Sequence, residues 1–276
     1  MLRKFIKRSI LNRFDDYVDT AIYANWLSRY EILKTSGRQP FMPDMPEKYF
    51  SQNDEDGYSL MITDRFDGDI QIFVEIGVGN GLENNTLILK ANGMRGLWFD
   101  AEPLPSAIYL NPAKRNFRFV RDFATPHNIT NLLQTHLQEL ETDHFDFLSI
   151  DIDGDDLSVL NSITNNFKPK VIVAEVNSKL GPDSQWRFSS NLMSTPAGDY
   201  FGMSFRSLKE ALSDKGYNYL AMNAATGLNA FFIDETYRHL FPELKLPIGF
   251  VPPFYRWPRR MFGNPSFQLV TSILNE

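Results

Sequence analysis

The chain has 276 residues, of which 43% are hydrophobic and 22% are charged, and its formal net charge is −6. These values are typical of a globular protein with a sizeable core, and the negative charge argues against nucleic acid as a partner. The absence of cysteine excludes disulfides, thiol catalysis and thiolate metal sites.

Residues 1–49 predict a helical extension ahead of the main domain. Residues 1–14 are basic and amphipathic, which suits packing on the protein itself, on a second subunit, or peripherally on an anionic membrane surface. Residues 15–34 continue with a helical apolar stripe, which Gly37 and Pro40 end. Because the chain has no run apolar enough to span a bilayer and no signal-peptide pattern, we expect a cytoplasmic location.

The stretch from residue 71 to residue 103 predicts a strand, a glycine loop, a helix and a second strand. The first strand, residues 72–76, is short, apolar and β-branched. The helix pattern begins at Leu82 and ends at Asn92-Gly93, and the second strand ends in Asp100. In an open parallel sheet, this unit places a nucleoside-containing ligand at the carboxyl ends of its strands.

The glycine loop reads E-x-G-x-G-x-G through Glu75, Gly77, Gly79 and Gly81, unlike the G-x-G-x-x-G of dinucleotide sites. Glu75 would repel a pyrophosphate but suits a cationic ligand that carries an amino acid, and we expect free N–H groups at the start of the helix. Asp100 could accept both hydroxyls of a ribose. The pattern therefore favours S-adenosylmethionine, with a ligand-free tight turn as the alternative.

A third predicted strand, residues 116–123, contains Asp122 near its end. That carboxylate could accept the adenine amino group of a nucleoside, with Phe119 or Phe123 against the ring. An ordinary turn at the end of the strand is the alternative.

Polar side chains cluster at the ends of the fourth and fifth predicted strands. Asp151 and Asp153 share one face, as do Glu175 and Asn177, so the four would converge if the strands are neighbours. Asp151 and Asp153 could serve as a general base and its orienter. Asp151, Glu175 and Asn177 could hold Mg²⁺. The third interpretation is structural, with the acidic turn capping the next helix.

The C-terminal part predicts an acceptor loop, a hairpin and a tail. Residues 181–200 form a long irregular stretch that suits acceptor binding. After a predicted helix at 204–215, the strands 217–222 and 229–233 predict an antiparallel hairpin at the end of the sheet. Residues 235–276 are rich in proline and aromatic residues and predict a tail packed on the domain or on a second subunit.

Together the elements predict an α/β fold, with a Rossmann-like, seven-stranded, mostly parallel sheet, a C-terminal antiparallel hairpin and helices on both faces. Four blocks resemble class I S-adenosylmethionine-dependent methyltransferases of the FkbM type, which occur among sugar, polysaccharide and natural-product genes. The blocks are FSQNDEDG at 50–57, FVEIGVGNGLENNT at 73–86, DFLSIDIDGDD at 146–156, and YFGMSFRSLKEALSDKGY through NAFFID at 200–234. The resemblance marks residues 50–234 as the methyltransferase domain.

The resemblance implies O-methylation of a hydroxyl on a small molecule, sugar or glycan. The cofactor-binding residues that it implies are Glu75, Gly77, Gly79, Gly81 and Asp100, with Gln52 and Glu55 closing over the cofactor. Asp54 stands where the family pattern suggests glycine, so the turn there is expected to differ. Related metal-dependent enzymes carry Asp-Asp where this chain has Glu175 and Asn177, so the resemblance leaves the use of Mg²⁺ open.

Two other functions remain open on the sequence. A nicotinamide-dependent oxidoreductase would use the same kind of sheet, although it needs a pyrophosphate site that this loop lacks. A non-catalytic protein with this fold would bind a partner through the aromatic tail. Homo-oligomerisation is compatible with each function.

Overall fold

The computed structural model of the chain describes residues 2–111, 113–188, 202–244, 249–254 and 266–276, with the backbone alone over residues 2–16. Residues 189–200 of the predicted acceptor loop, and residues 245–248 and 255–265 of the predicted tail, lie outside the described residues. So do the side chains on which the predicted membrane contact of residues 1–14 depends.

Seven helices and seven strands are described along the chain. The helices are α1 (Leu2–Thr35), α2 (Glu55–Arg65), α3 (Leu87–Ala91), α4 (Ile129–Glu139), α5 (Asp156–Thr164), α6 (Phe205–Ser213) and α7 (Phe267–Asn275). The strands are β1 (Ile72–Ile76), β2 (Arg95–Asp100), β3 (Phe117–Arg121), β4 (Phe147–Ile150), β5 (Val171–Glu175), β6 (Tyr217–Met222) and β7 (Asn229–Asp234). Short 3₁₀ helices cover Ser178–Leu180 and Glu235–Leu240.

The strands form one sheet in the order β3-β2-β1-β4-β5-β7-β6. The first five strands are parallel, and β7 runs antiparallel to both β5 and β6. This confirms the predicted fold class, including the C-terminal hairpin. The strand order reverses between β1 and β4, which is where open α/β sheets bind their ligands.

The central strands are buried along their whole length. Every residue of β1 and β4 is buried, as expected of parallel strands covered on both faces. The apolar stripe of α1 also enters the core, where Trp26, Tyr30 and Leu33 are buried. Arg29 ties this helix to the loop after β6, since its Nε donates to the carbonyl of Ala224 at 3.3 Å. Among the described residues, no helix is both long and apolar enough to cross a membrane.

The structure corrects two expectations about the helices. The helix after the glycine loop begins at Leu87 rather than at Leu82 and is only five residues long. A C-terminal helix, α7, occupies part of the predicted tail and packs on α3. Its signals were present in the sequence: Ser266 caps it, and Val270, Ile273 and Leu274 have helical spacing.

Gly77 brings the end of β1 against the end of β4. Its φ is +87°, and a Cβ at this position would lie 1.5 Å from the carbonyl oxygen of Asp151. The backbones therefore approach so closely that a side chain at Gly77 would force them apart.

We expect Gly77→Ala to destabilise the fold more than Gly93→Ala does. Gly93 has the same φ of +87° but no atom within 4 Å of an added Cβ, so it isolates the cost of the backbone angle, about 1–3 kcal/mol. Urea unfolding of the two variants measures the difference, which reports the clash with Asp151. Equal losses of unfolding free energy would contradict the tight contact between β1 and β4.

Candidate cofactor and acceptor site

A cavity of about 410 Å³ opens at the carboxyl ends of β1 to β4. It therefore lies at the point where the strand order reverses. The residues around it combine apolar walls with four aspartates. The lining residues that matter for a ligand are Gly77, Asp100, Asp122, Phe123, Pro126, Asp153, Asp155 and Val159.

Asp100 holds the glycine loop against the end of β2. One of its carboxylate oxygens accepts from the backbone N–H of Gly79 at 2.7 Å, and the other accepts from that of Glu102 at 2.8 Å. Asp122 is exposed at the rim of the same cavity, and the ring of Phe123 beside it is 67% exposed. The structure thus places both predicted nucleoside-binding carboxylates on one cavity.

The three glycines of the loop have different surroundings. Gly77 lines the cavity, and an added Cβ on Gly79 would meet no atom within 4 Å. A Cβ on Gly81 would instead approach Leu104 at 3.1 Å and Ile108 at 3.3 Å. Close packing thus accounts for glycine at position 81, whereas Gly79 has open space around it and does not itself line the cavity.

Glu75 faces the start of α3 and is almost fully buried. Its carboxylate accepts from the backbone N–H groups of Asn85 at 2.9 Å and Thr86 at 3.1 Å, and from the hydroxyl of Thr86. The expectation of free N–H groups at this helix start is therefore wrong for these two groups, because Glu75 occupies them. The same bonds fix residues 85 and 86 directly before the first residue of α3.

Burial raises the pKa of Glu75 from its usual 4.5 to about 7. The hydrogen bonds from Thr86 and Asn85 act in the opposite direction but are outweighed. Glu75 is thus a buried carboxyl group that titrates near neutral pH.

The predicted lid residues lie next to the loop between β6 and β7. Glu55 is fully buried, and its Oε1 accepts from the side-chain amides of Asn223 and Asn229, both at 3.0 Å. Gln52 is exposed. Neither residue lines the 410 Å³ cavity.

Asp54 also binds the loop between β6 and β7. Its carboxylate accepts from the backbone N–H groups of Ala224 at 3.1 Å and Ala225 at 3.1 Å, and from the Asn223 amide at 3.0 Å. Burial, followed by the charge of Glu55, raises the pKa of Asp54 to about 7. The departure from glycine at position 54 thus has a structural account, which the sequence pattern did not reveal.

The acidic residues at the ends of β4 and β5 do converge. The two strands pair in parallel, with Ile150 opposite Ala174. Asp151, Asp153 and Glu175 each contribute one carboxylate oxygen to a cluster. These three oxygens lie within 4.8 Å of one another. Asp153 is exposed and takes a φ of +53°, a left-handed conformation that aspartate tolerates better than most residues.

Asp151 and Glu175 form a half-buried pair. Burial, followed by the charges of Asp156 and Asp153, raises the pKa of Asp151 to about 7. The pKa of Glu175 rises well above its usual range because of burial and the adjacent Asp151 charge. The two carboxyl groups interact closely, and a hydrogen bond between them requires one shared proton, because two carboxylates cannot donate to each other.

The other acidic residues of this turn have structural partners. Asp155 caps α5 by accepting from the N–H of Ser158 at 3.3 Å. Asp156 accepts from the N–H groups of Ile152 at 2.8 Å and Gly154 at 3.1 Å. These bonds support the capping interpretation for Asp155 and fix the turn that carries Asp153.

Asn177 is buried just before the 3₁₀ helix Ser178–Leu180, and its backbone N–H donates to the carbonyl of Met203 at 2.8 Å.

The three carboxylates of Asp151, Asp153 and Glu175 have the chemistry of a divalent-cation site, since Mg²⁺ prefers oxygen ligands.

We expect Glu75→Gln to alter how stability depends on pH. Because the pKa of Glu75 is higher in the fold than in the unfolded chain, its contribution is fully present below about pH 4.5 and is lost as the pH rises through about 7. Wild type should therefore lose up to about 3 kcal/mol relative to the variant across that window. Chemical unfolding at pH 5 and pH 8 measures this change, and parallel pH profiles would contradict it.

Comparison with known proteins agrees with the predicted resemblance. Residues 45–219 match the family described as the methyltransferase FkbM domain. No curated protein matched the chain.

Three solved structures have related folds. A proposed caffeoyl-CoA O-methyltransferase from Staphylococcus aureus is 13% identical, with 64% of this chain and 81% of that chain covered and a TM-score of 0.38. The mitomycin 7-O-methyltransferase MmcR is 14% identical, with 64% and 53% covered and a TM-score of 0.31. The glycopeptide N-methyltransferase MtfA, solved with S-adenosyl-L-methionine, is 9% identical, with 73% and 94% covered and a TM-score of 0.29.

At these TM-scores the structural neighbours do not bear on the reaction or its substrate. The family match spans more than half of the chain, and the cavity at the reversal of the strand order occupies the place where this kind of sheet binds ligands. The chain therefore belongs to the FkbM methyltransferase family.

Proposed function

We propose that the chain is an S-adenosylmethionine-dependent methyltransferase that methylates a hydroxyl group of a small molecule, sugar or glycan. The observation that carries the proposal is one cavity bounded by the glycine loop, by two carboxylates suited to a nucleoside, and by the acidic turn after β4. We assign the activity to residues 50–234, with residues 1–49 and 235–276 as appendages.

The cavity residues suit the parts of the cofactor. Asp100 would accept the ribose hydroxyls at the end of β2, and Asp122 would accept the adenine amino group. Phe123 offers an exposed ring face for the base. The open space at Gly79 would let the backbone approach the amino-acid part, while Glu75 supports this site by holding the start of α3.

The bound cofactor would supply an electrophilic methyl group on a positively charged sulfur. Methyl transfer would form an O–C bond to the acceptor in line with the breaking C–S bond, and the residues of this chain would align the two groups. Asp151 takes the hydroxyl proton, and Glu175 holds the orientation of Asp151 through their hydrogen bond. A base with a pKa near neutrality suits this role, and Asp153 adds negative charge beside it.

A metal-assisted version of the reaction is the second candidate, because three carboxylates meet within 4.8 Å. Asp151 and Glu175, with Asp153 or Asn177, would hold a Mg²⁺ ion. The ion would supply Lewis-acid stabilisation of the acceptor oxygen as it loses its proton.

We expect Gly79→Val to weaken binding of S-adenosylhomocysteine at least about tenfold, because the side chain would fill the space left for the ligand. Gly93→Val is the matched control, since Gly93 also has a positive φ and open surroundings but follows the end of α3, away from the glycine loop that Asp100 holds. Calorimetry on both variants measures the affinity. Unchanged affinity in Gly79→Val would contradict the proposed cofactor site.

We expect Asp151→Asn to lower turnover by about 10²–10⁴-fold, because the amide cannot accept the proton, while the affinity for S-adenosylhomocysteine changes little. The assay is transfer of a labelled methyl group to a panel of sugar and small-molecule hydroxyl acceptors. Asp143→Asn, at a fully exposed side chain, controls for the change in charge.

The same methyl-transfer assay tests whether the reaction needs a metal ion. Loss of wild-type turnover with a chelator, restored by Mg²⁺, would assign the acidic cluster to a cation and contradict the simple base mechanism. Normal turnover in Asp151→Asn would assign Asp151 to structure.

A further inference from the structure

A row of polar side chains crosses three neighbouring strands at the end of the sheet where the cavity opens. Asp151 follows directly after the last paired residue of β4, which places it level with Glu175 on β5. Glu175 in turn stands opposite Asn229 on β7 in the antiparallel register. Directly opposed residues point to the same face of a sheet, so Asn229 extends the row that begins at Asp151.

The side-chain oxygen of Asn229 has no hydrogen-bond partner among the described residues, although the residue is only 6% exposed. Its amide nitrogen donates to Oε1 of Glu55 at 3.0 Å, and this bond fixes which end of the amide faces Glu55. The oxygen is consequently the end left for another donor. A buried acceptor without a partner costs free energy, so a ligand that donates to it gains affinity.

We propose that Asn229 orients the methyl acceptor by accepting a hydrogen bond from a second hydroxyl, close to the one that is methylated. This inference rests on the proposed function and deepens it, since it assigns the acceptor to polyhydroxylated compounds such as sugar rings. Adjacent strands lie about 4.8 Å apart, so Asp151 and Asn229, two strands apart, are separated by about 10 Å. A small ring with a hydrogen bond at each end can span this distance.

The side-chain oxygens of Asn223 and Glu55, the hydrogen-bonded neighbours of Asn229, are already occupied. The oxygen of Asn223 already accepts from the N–H groups of Leu228 and Asn229, both at 2.9 Å. Oε2 of Glu55 accepts from the N–H of Asn53 at 2.7 Å. Both are thus engaged within the protein.

The test measures methyl transfer to methyl glycosides, each paired with a deoxy analogue that lacks the hydroxyl next to the methylated one. We expect wild type to favour the intact glycoside at least about tenfold in kcat/KM, and Asn229→Ala to reduce this preference below about threefold. Asn218→Ala, on β6 and outside this row, controls for the loss of an amide side chain and should keep the preference. If Asn229→Ala does not fold, Asn229→Ser replaces it in the same assay.

Calorimetry with S-adenosylhomocysteine separates the two proposals. Absence of cofactor binding in wild type would overturn the proposed function itself. Cofactor binding with an unchanged preference in the Asn229 variant, or with transfer only to acceptors that carry a single hydroxyl, would overturn the role of Asn229 alone.

Discussion

The site depends on the close approach of two backbone segments, at Gly77 after β1 and at Asp151 after β4. A Cβ on Gly77 would lie 1.5 Å from the Asp151 carbonyl, so only glycine permits the contact. The contact joins the two halves of the sheet where their strand order reverses. It thereby places the glycine loop and the acidic turn on one cavity, which in-line methyl transfer requires, because its rate depends on the alignment of acceptor and methyl group.

Buried carboxyl groups organise the surroundings of that contact. Glu75 fixes the start of α3, Asp54 fixes the loop between β6 and β7, and Asp156 fixes the turn after β4. Each accepts backbone N–H groups that would otherwise lack partners, and burial raises the pKa of each. The fold thus uses carboxyl groups as internal supports, at a desolvation cost that backbone hydrogen bonds offset in part.

The sequence predicted the sheet and the residues at the carboxyl ends of its strands well, because both follow from local patterns. Short apolar runs located all seven strands. Asp100 at the end of one predicted strand and Asp151 near the end of another were therefore expected at the carboxyl ends of the sheet. The partners of Glu75 and Asp54 could not be predicted, since they come from residues distant in the chain or from backbone N–H groups. Asn229 was missed for the same reason, because its importance lies in its register opposite Glu175.

The central claim is that the cavity between Gly77 and Asp122 holds a sulfonium nucleoside. Native mass spectrometry of the protein, purified from cells and then incubated with S-adenosylhomocysteine, tests it most directly. We expect a bound S-adenosyl nucleoside that is lost in Asp100→Ala. A bound pyridine dinucleotide, or protein that stays free of nucleoside after the incubation, would contradict the account.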